Sequence, residues 1–487
     1  MTLLLRGARV VDLVHGGSAP ADVRIRDGVI VEVGPDLEAA GERILDGRDG
    51  WLIPGLWDKH LHFGQLVRSS TWLDVAGLPG PEAVAARVAV APPAAGPLIG
   101  FGYRSASWAR TGTVVELDAV TGDRVTVLIS GDAHNGWLNS AALRAFGLAP
   151  RSGPLEEDDW FAIMGRLSSL PGSQPTPAAE AATAATLASR GLTGIVDFEF
   201  TDAHLDWPRR IAAGLETLRV RTAVYPHQLD DVLAAGLRTG APLPGGDGLA
   251  TMGPLKVISD GSMSTRTAWC CEPYLGDGGH GAPNLTAAEL TALLRRSADG
   301  GLAVAVHAIG DRANAAALDA FATTGARGSV EHAQLLRRAD VPRFAALGLV
   351  ASMQPAHLLD DRTTAETLWG DRTDRLFLAG SLLASGADVV LGSDAPVAPA
   401  DPWLAIAAAV HRGDPGGFAL NPAESLTPLQ ALRASVDGGR IIEGAAADLV
   451  LLGDDPLTVG PSAEQASRLR DMTTRLTLCA GRITSGA

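Results

Sequence analysis

Two histidines one residue apart, His60 and His62, close the apolar run LIPGLWDKHLHF. Alternate residues of a strand face the same way, so on a strand both imidazoles would share a face, as two ligands of one metal ion must. His-x-His by itself is common and decides nothing. Four further polar residues occupy similar places: Lys256 in GPLKVISDG, His307 in LAVAVHAIG, His332 in GSVEHAQ and Asp394 in ADVVLGSDAP. Each lies within or just after an apolar run, where an unpaired charge or imidazole is costly. A lone buried histidine is usually a hydrogen-bonded core residue. Four histidines, a lysine and an aspartate in like positions need a common explanation, and a metal centre supplies it. Imidazole and carboxylate are ordinary ligands of zinc and similar divalent ions. The set exceeds what one tetrahedral ion requires, so one or two divalent ions are expected, zinc foremost. Lys256 is the odd member, because an ammonium has no lone pair. Burial beside metal would depress its pKa, and a neutral amine can take up carbon dioxide to become a carbamate that bridges two ions. The alternative is a buried lysine paired with Asp260.

These residues need a scaffold that brings distant strand ends together. Strand-like segments recur at 194–200, 219–226, 253–261, 302–310, 328–334, 349–357 and 387–396; with the run ending at His62 they number eight. Helical patterns lie between them. Thr176-Pro177 opens one that Gly191 closes, and Thr286/Glu289 and Thr427/Gln430 read as capping boxes. Alternating strands and helices imply a parallel α/β sheet, and eight of them a (β/α)8 TIM barrel over 54–436. Residues 65–175, rich in Pro, Gly and aromatics, are an insertion after the first strand. The β-rich ends, 1–53 and 437–487, suggest a small composite β-sandwich built from both termini. In such a barrel, catalytic groups stand at the C-terminal ends of the strands, where these six residues fall.

Composition narrows the partners. The formal charge of −15 disfavours nucleic acid and anionic membrane, both of which need basic surface. The three cysteines, Cys270, Cys271 and Cys479, include an adjacent pair that would not bridge without strain, so they read as packing residues in a reducing, cytoplasmic setting. Arg6 and Arg9 interrupt the N-terminal apolar run, which is too short for a signal peptide. A homo-oligomer stays open.

The order His-x-His, Lys, His, His, Asp resembles that of the amidohydrolase superfamily of metal-dependent barrel hydrolases. LKVISDGSMSTRTA, VHAIGDRA, VEHAQLL, SMQPAHL, GSDAPVAPADPW and GAAADLVLL look like the amidohydrolase-3 branch, which includes N-substituted formamide deformylase-like enzymes. GDAHNGWLNSAAL (131–143) is similar to another motif of that branch. The likeness spans about residues 1 to 457. It implies that His60 and His62 bind the more buried ion, that Lys256 bridges as a carbamate, and that His307 and His332 hold the second ion. Asp394 would contact the first ion and move the proton. Lys59 departs from the small or polar residue usual at its position, but strand parity points it away from the metals. AWCCEPY (268–274) is also unusual, and the stretch between Val436 and Ile441 looks shortened.

The implied reaction is hydrolysis of a C–N amide bond in a small N-substituted amide or formamide. Water activated by the ions is the nucleophile, and Asp394 is the acid–base. A deaminase, a lactone or ester hydrolase, or a lyase on the same site is the alternative. For the small-molecule substrate, His134 and His357 are candidates to bond the scissile carbonyl and Arg266 to meet a carboxylate. Trp72, Phe101, Tyr103, Trp137, Trp269 and Tyr274 are candidate walls, unless they pack the insertion instead. His15, His204, His227, His280 and His411 take a structural or surface reading.

Overall fold

The run that ends in the two histidines is a strand, β1 (Leu56–Leu61). Seven more follow: β2 (Leu192–Asp197), β3 (Arg219–Val224), β4 (Ala250–Ile258), β5 (Val304–Ala308), β6 (Gly328–His332), β7 (Val350–Met353) and β8 (Asp388–Leu391). The structure is a computed structural model and describes residues 2–92, 96–105, 108–131, 135–276, 278–414, 416–457 and 459–486. All eight strands run parallel and pair in sequence order. The ring closes at its mouth, where Asp394 N donates to His60 O at 2.6 Å and His62 N to Ala395 O at 2.9 Å. This is the TIM-like barrel read from the sequence.

Closure depends on a glycine. A Cβ on Gly392 would lie 2.6 Å from the His60 nitrogen and 2.9 Å from its Cβ, so only glycine lets the chain leaving β8 lie against β1. The helices begin where the capping signals placed them. Thr286 with Glu289 caps Ala287–Asp299, and Thr427 with Gln430 caps Pro428–Arg433. Thr176 Oγ1 accepts from Ala179 N at 3.2 Å at the head of Pro177–Ser189.

The two chain ends form one mixed sheet, separate from the barrel. Its strands run in the order Arg482–Ser485, Thr474–Cys479, Leu449–Leu452, Trp51–Pro54, Thr2–Val11, Ser18–Arg26 and Val29–Gly34, with Arg43–Asp46 beside Thr2–Val11. The termini join where Trp51–Pro54 pairs antiparallel with Leu449–Leu452. A register shift between Leu5 and Ala8, with Gly7 at φ 74°, bends the longest strand. Its first half then pairs with Arg43–Asp46 and its second with Trp51–Pro54. Leu3, Leu5, Val23, Ile25, Leu449 and Leu478 are among the residues of its core.

The chain divides into two compact units, one of Met1–Phe63 with Ala184–Ala487 and the other of Gly64–Thr183. The second has its own five-stranded sheet and its own core, which includes Val127, Leu138, Trp137 and Trp160. Among the described residues no helix is long and apolar enough to cross a membrane.

Candidate metal centre

Strand ends deliver the chemistry. β1 ends next to His62 and carries His60 one residue earlier; β6 ends on His332; Asp394 stands three residues after β8. His332 and Asp394 both adopt left-handed backbone, at φ 70° and 60°. Non-glycine residues hold that conformation at a cost of about 1–3 kcal/mol, so the surroundings must enforce it, and such strain gathers at functional sites. For Asp394 the enforcing contact is its N–H on the His60 carbonyl.

Asp394 is the hub. Its Oδ1 lies 3.4 Å from His62 Nε2 and 3.5 Å from His60 Nε2, and its Oδ2 lies 3.5 Å from His357 Nε2. Two groups thus gather their ligand atoms within 4.8 Å: His60, His62 and Asp394, and His332, His357 and Asp394. Two groups sharing one carboxylate are consistent with a binuclear site. Lys256 is buried with its Nζ 3.2 Å from His60 Nε2 and 4.1 Å above the Phe198 ring. It does not pair with Asp260, whose carboxylate instead accepts from Trp269 N, Ile309 N and Gly310 N. His307 stands beside His332, ring centroids 4.5 Å apart, with its Nε2 turned to the Gly261 carbonyl at 3.3 Å.

The comparisons with known proteins agree with this picture. The model of the amidohydrolase family matches residues 43–485. The chain belongs to the amidohydrolase family. YtcJ of Bacillus subtilis (strain 168) is 27% identical over 95% of this chain and 96% of its own. The Arabidopsis thaliana protein LONG AFTER FAR-RED 3 is 28% identical over 88% of this chain and 83% of its own. The fold is shared with the crystal structure of an uncharacterized metal-dependent hydrolase from Pyrococcus horikoshii OT3. The TM-score is 0.82 at 24% identity, over 94% of this chain and 99% of that one.

The donors of this amidohydrolase are tuned and oriented by neighbours. Burial holds His60 and His332 well below the usual imidazole range, helped by the other cations of the cluster, so both stay neutral and keep a lone pair. Burial likewise brings His307 down to about 4 and Lys256 down to about 8, the latter against the pull of Glu331 and Asp394. Burial pushes Asp394 up, but His60, His357 and His62 more than offset this and hold it well below the carboxylate range. His60 Nδ1 meets Glu331 Oε2 at 2.7 Å. That contact orients the ring, so its Nε2 side faces Asp394 and Lys256. Asp58 accepts from His60 N and Ser393 N at 3.0 Å each, fixing both sides of the closure, and burial raises it to about 6.

The remaining expected residues divide. His357, expected at the substrate carbonyl, is brought into the donor cluster itself. Arg266 lies exposed on the loop after β4 in left-handed backbone, φ 57°. Tyr103 and Trp137, expected as substrate contacts, are instead core residues of the Gly64–Thr183 unit. Trp137 is fully buried, its Nε1 donates to Thr113 O at 2.9 Å, and its ring covers Gly112. Tyr103 stacks on Trp108 and bonds Asn135. Large rings with a satisfied polar end belong in cores, which is the packing alternative. His134 lies outside the described residues. Sequence reading passed over Glu331, whose signal was a carboxylate directly before His332 in an apolar strand, and Phe198 and Phe200, which flank the histidines from the chain just after β2.

Proposed function

We propose that the protein is a metal-dependent hydrolase cleaving the C–N bond of a small N-substituted amide or formamide. The observation that carries this reading is Asp394, one carboxylate shared by His60 with His62 and by His332 with His357 at the mouth of the barrel. The donors fit divalent ions: His60 and His332 are held neutral, and the buried Nδ1 of His62 has no hydrogen-bond partner among the described residues. His60, His62, His307, His332 and Asp394 would hold the ions, with His357 beside them, and zinc suits this donor set. When bound, the ions supply Lewis acidity, lowering the pKa of a water towards neutrality and polarising the scissile carbonyl.

The chain's own groups do the rest. Lys256, with burial favouring its neutral amine, would add to the carbon of carbon dioxide and lose one proton, and the resulting carbamate would add oxygen donors to the set that holds the ions. Glu331 keeps the His60 ring oriented. Asp394 takes the proton lost by water as the new C–O bond forms, then returns it to nitrogen as the C–N bond breaks. An acid and an amine leave. The acidic surface and unbridged cysteines support a small-molecule enzyme of the cytoplasm rather than a nucleic-acid or membrane binder.

The test is a panel of formamides, N-acyl amino acids and cyclic imides offered to zinc-reconstituted protein, with both products quantified. Equal amine and acid are expected, together with an intact-mass increase of one carbon dioxide lost in Lys256→Met. Ammonia released from ring-amino substrates would make the protein a deaminase. Turnover of lactones or esters alone would move the reaction to C–O bonds.

A further inference from the structure

Beside the histidines of β1 the chain after β2 raises an aromatic ladder that metal binding does not require. Phe200 stacks on His62, centroids 5.3 Å apart and planes 18° apart. Tyr225 stacks on Phe200 at 5.0 Å and 28°, and His227 on Tyr225 at 6.3 Å and 22°. Phe198, two residues before Phe200, lies 4.4 Å from His60. Phe198 is buried, as a packing residue should be, yet Phe200 is 51% exposed.

That exposed ring is held firmly. Asp197 Oδ1 accepts from Phe63 N and Glu199 N at 3.0 Å each, and its Oδ2 accepts from Trp207 Nε1 at 2.7 Å, pinning the turn that presents Phe200. Phe200 N donates to Glu199 Oε1 at 3.2 Å. Tyr225, the support of the ring, is buried and fixed by its hydroxyl donating to Phe198 O at 2.7 Å. Leaving half a phenyl ring in water forfeits burial energy, while binding sites set rigid aromatic surface beside a few polar groups. The ring also adjoins a ligand histidine directly, so whatever covers it must be attached close to the reacting bond.

We propose that Phe200 is a specificity-determining residue, and that the substrate carries a planar apolar group next to the hydrolysed C–N bond which lies against its exposed face. This rests on the amide-hydrolase reading for the reaction, but not for the contact. Two measurements separate them. The first is kcat/KM for matched pairs differing on one side of the amide: N-phenylformamide against N-methylformamide, and benzamide against acetamide. The second is calorimetric affinity of the zinc-loaded protein for benzohydroxamate against acetohydroxamate, which needs no turnover. Wild type should favour the aromatic member of at least one amide pair, and benzohydroxamate, by about tenfold, the scale of one aromatic contact with its buried area. Phe200→Ala should collapse these ratios to within about threefold, and Phe200→Leu should leave them intermediate, with zinc content retained in both. A hydroxamate preference that Phe200→Ala abolishes, without turnover of any amide, would sink the amide reading and leave Phe200 in place. Amide turnover with aromatic-to-aliphatic ratios that Phe200→Ala leaves unchanged would overturn the proposal and assign the ring to covering His62.

Discussion

Lys59 and His60 are neighbours on β1, face opposite ways, and belong to two charged clusters of different kinds. Outward, Lys59 pairs with Asp437, which also takes the guanidinium of Arg221. Both cations lie over the Trp57 ring, at 4.9 and 4.5 Å, and Arg219 is matched by Asp448. Inward, the Asp394 carboxylate faces three imidazole nitrogens at 3.4–3.5 Å, too far for good hydrogen bonds, and His62 Nδ1 has no hydrogen-bond partner among the described residues. The outward cluster is closed on itself and fastens the terminal sheet's linker to the barrel. The inward cluster is a set of metal-ligating donors that pair poorly with one another. The inward groups are the more deeply buried of the two sets and yet the less well paired, and that combination of burial with poor pairing separates a functional cluster from a structural one.

Breaking the inward cluster should cost function first. Asp394→Ala is expected to lower kcat/KM by about a thousandfold or more and to release metal, checked by steady-state kinetics and elemental analysis. Glu331→Gln should cost about 10–100-fold in metal affinity or activity, because the His60 ring loses its orienting partner; titration with zinc reads this directly. Gly392→Ala tests the closure that the inward cluster straddles, with Asp394 on one side and His60 and His62 on the other. Its added methyl meets the His60 backbone, so metal affinity and thermal stability should fall together, the latter by about 1–3 kcal/mol.

Breaking the outward cluster should instead cost stability first. Lys59→Met should destabilise the fold in a denaturant melt while zinc stoichiometry holds, and a loss of zinc would erase the contrast between the clusters. The smallest effect concerns pH. Burial raises Asp437, but Lys59 and Arg221 outweigh it and hold the carboxyl below its ordinary range. A depressed carboxyl contributes stability that is complete above its unfolded pKa, about 3.9, and is lost as pH falls through the folded value. Asp437→Asn should therefore be less stable than wild type near neutrality, with the gap narrowing in strong acid.

Much of the barrel was legible because each local signal agreed with the fold. Apolar runs marked strands, and Thr-x-x-Glu and Thr-x-x-Gln marked helix starts whose caps are seen at Thr286 and Thr427. The aromatics of the insertion were less so. An aromatic-rich stretch reads equally as pocket or core, and only packing shows that Trp137 covers Gly112 and spends its N–H on Thr113. Lys256 and Asp260 show the same limit. Their spacing allowed a pair, but Asp260 is taken up by three backbone N–H groups.

By itself the sequence determined which residues stand at strand ends and which face they share, because strand parity and apolar runs are local properties. His60, His62, His332 and Asp394 were named on that ground, and Lys59 was set aside by the same parity. Only the tertiary structure decided distances across the ring. It brought His357, the first residue of the short helix His357–Asp360 after β7, to Asp394, and set Glu331 against His60 from 271 residues away. It also turned the His307 Nε2 to the Gly261 carbonyl and stacked Phe200 on His62. The reason is geometric: local periodicity fixes the direction of a side chain, but which directions converge is settled only when β8 closes on β1.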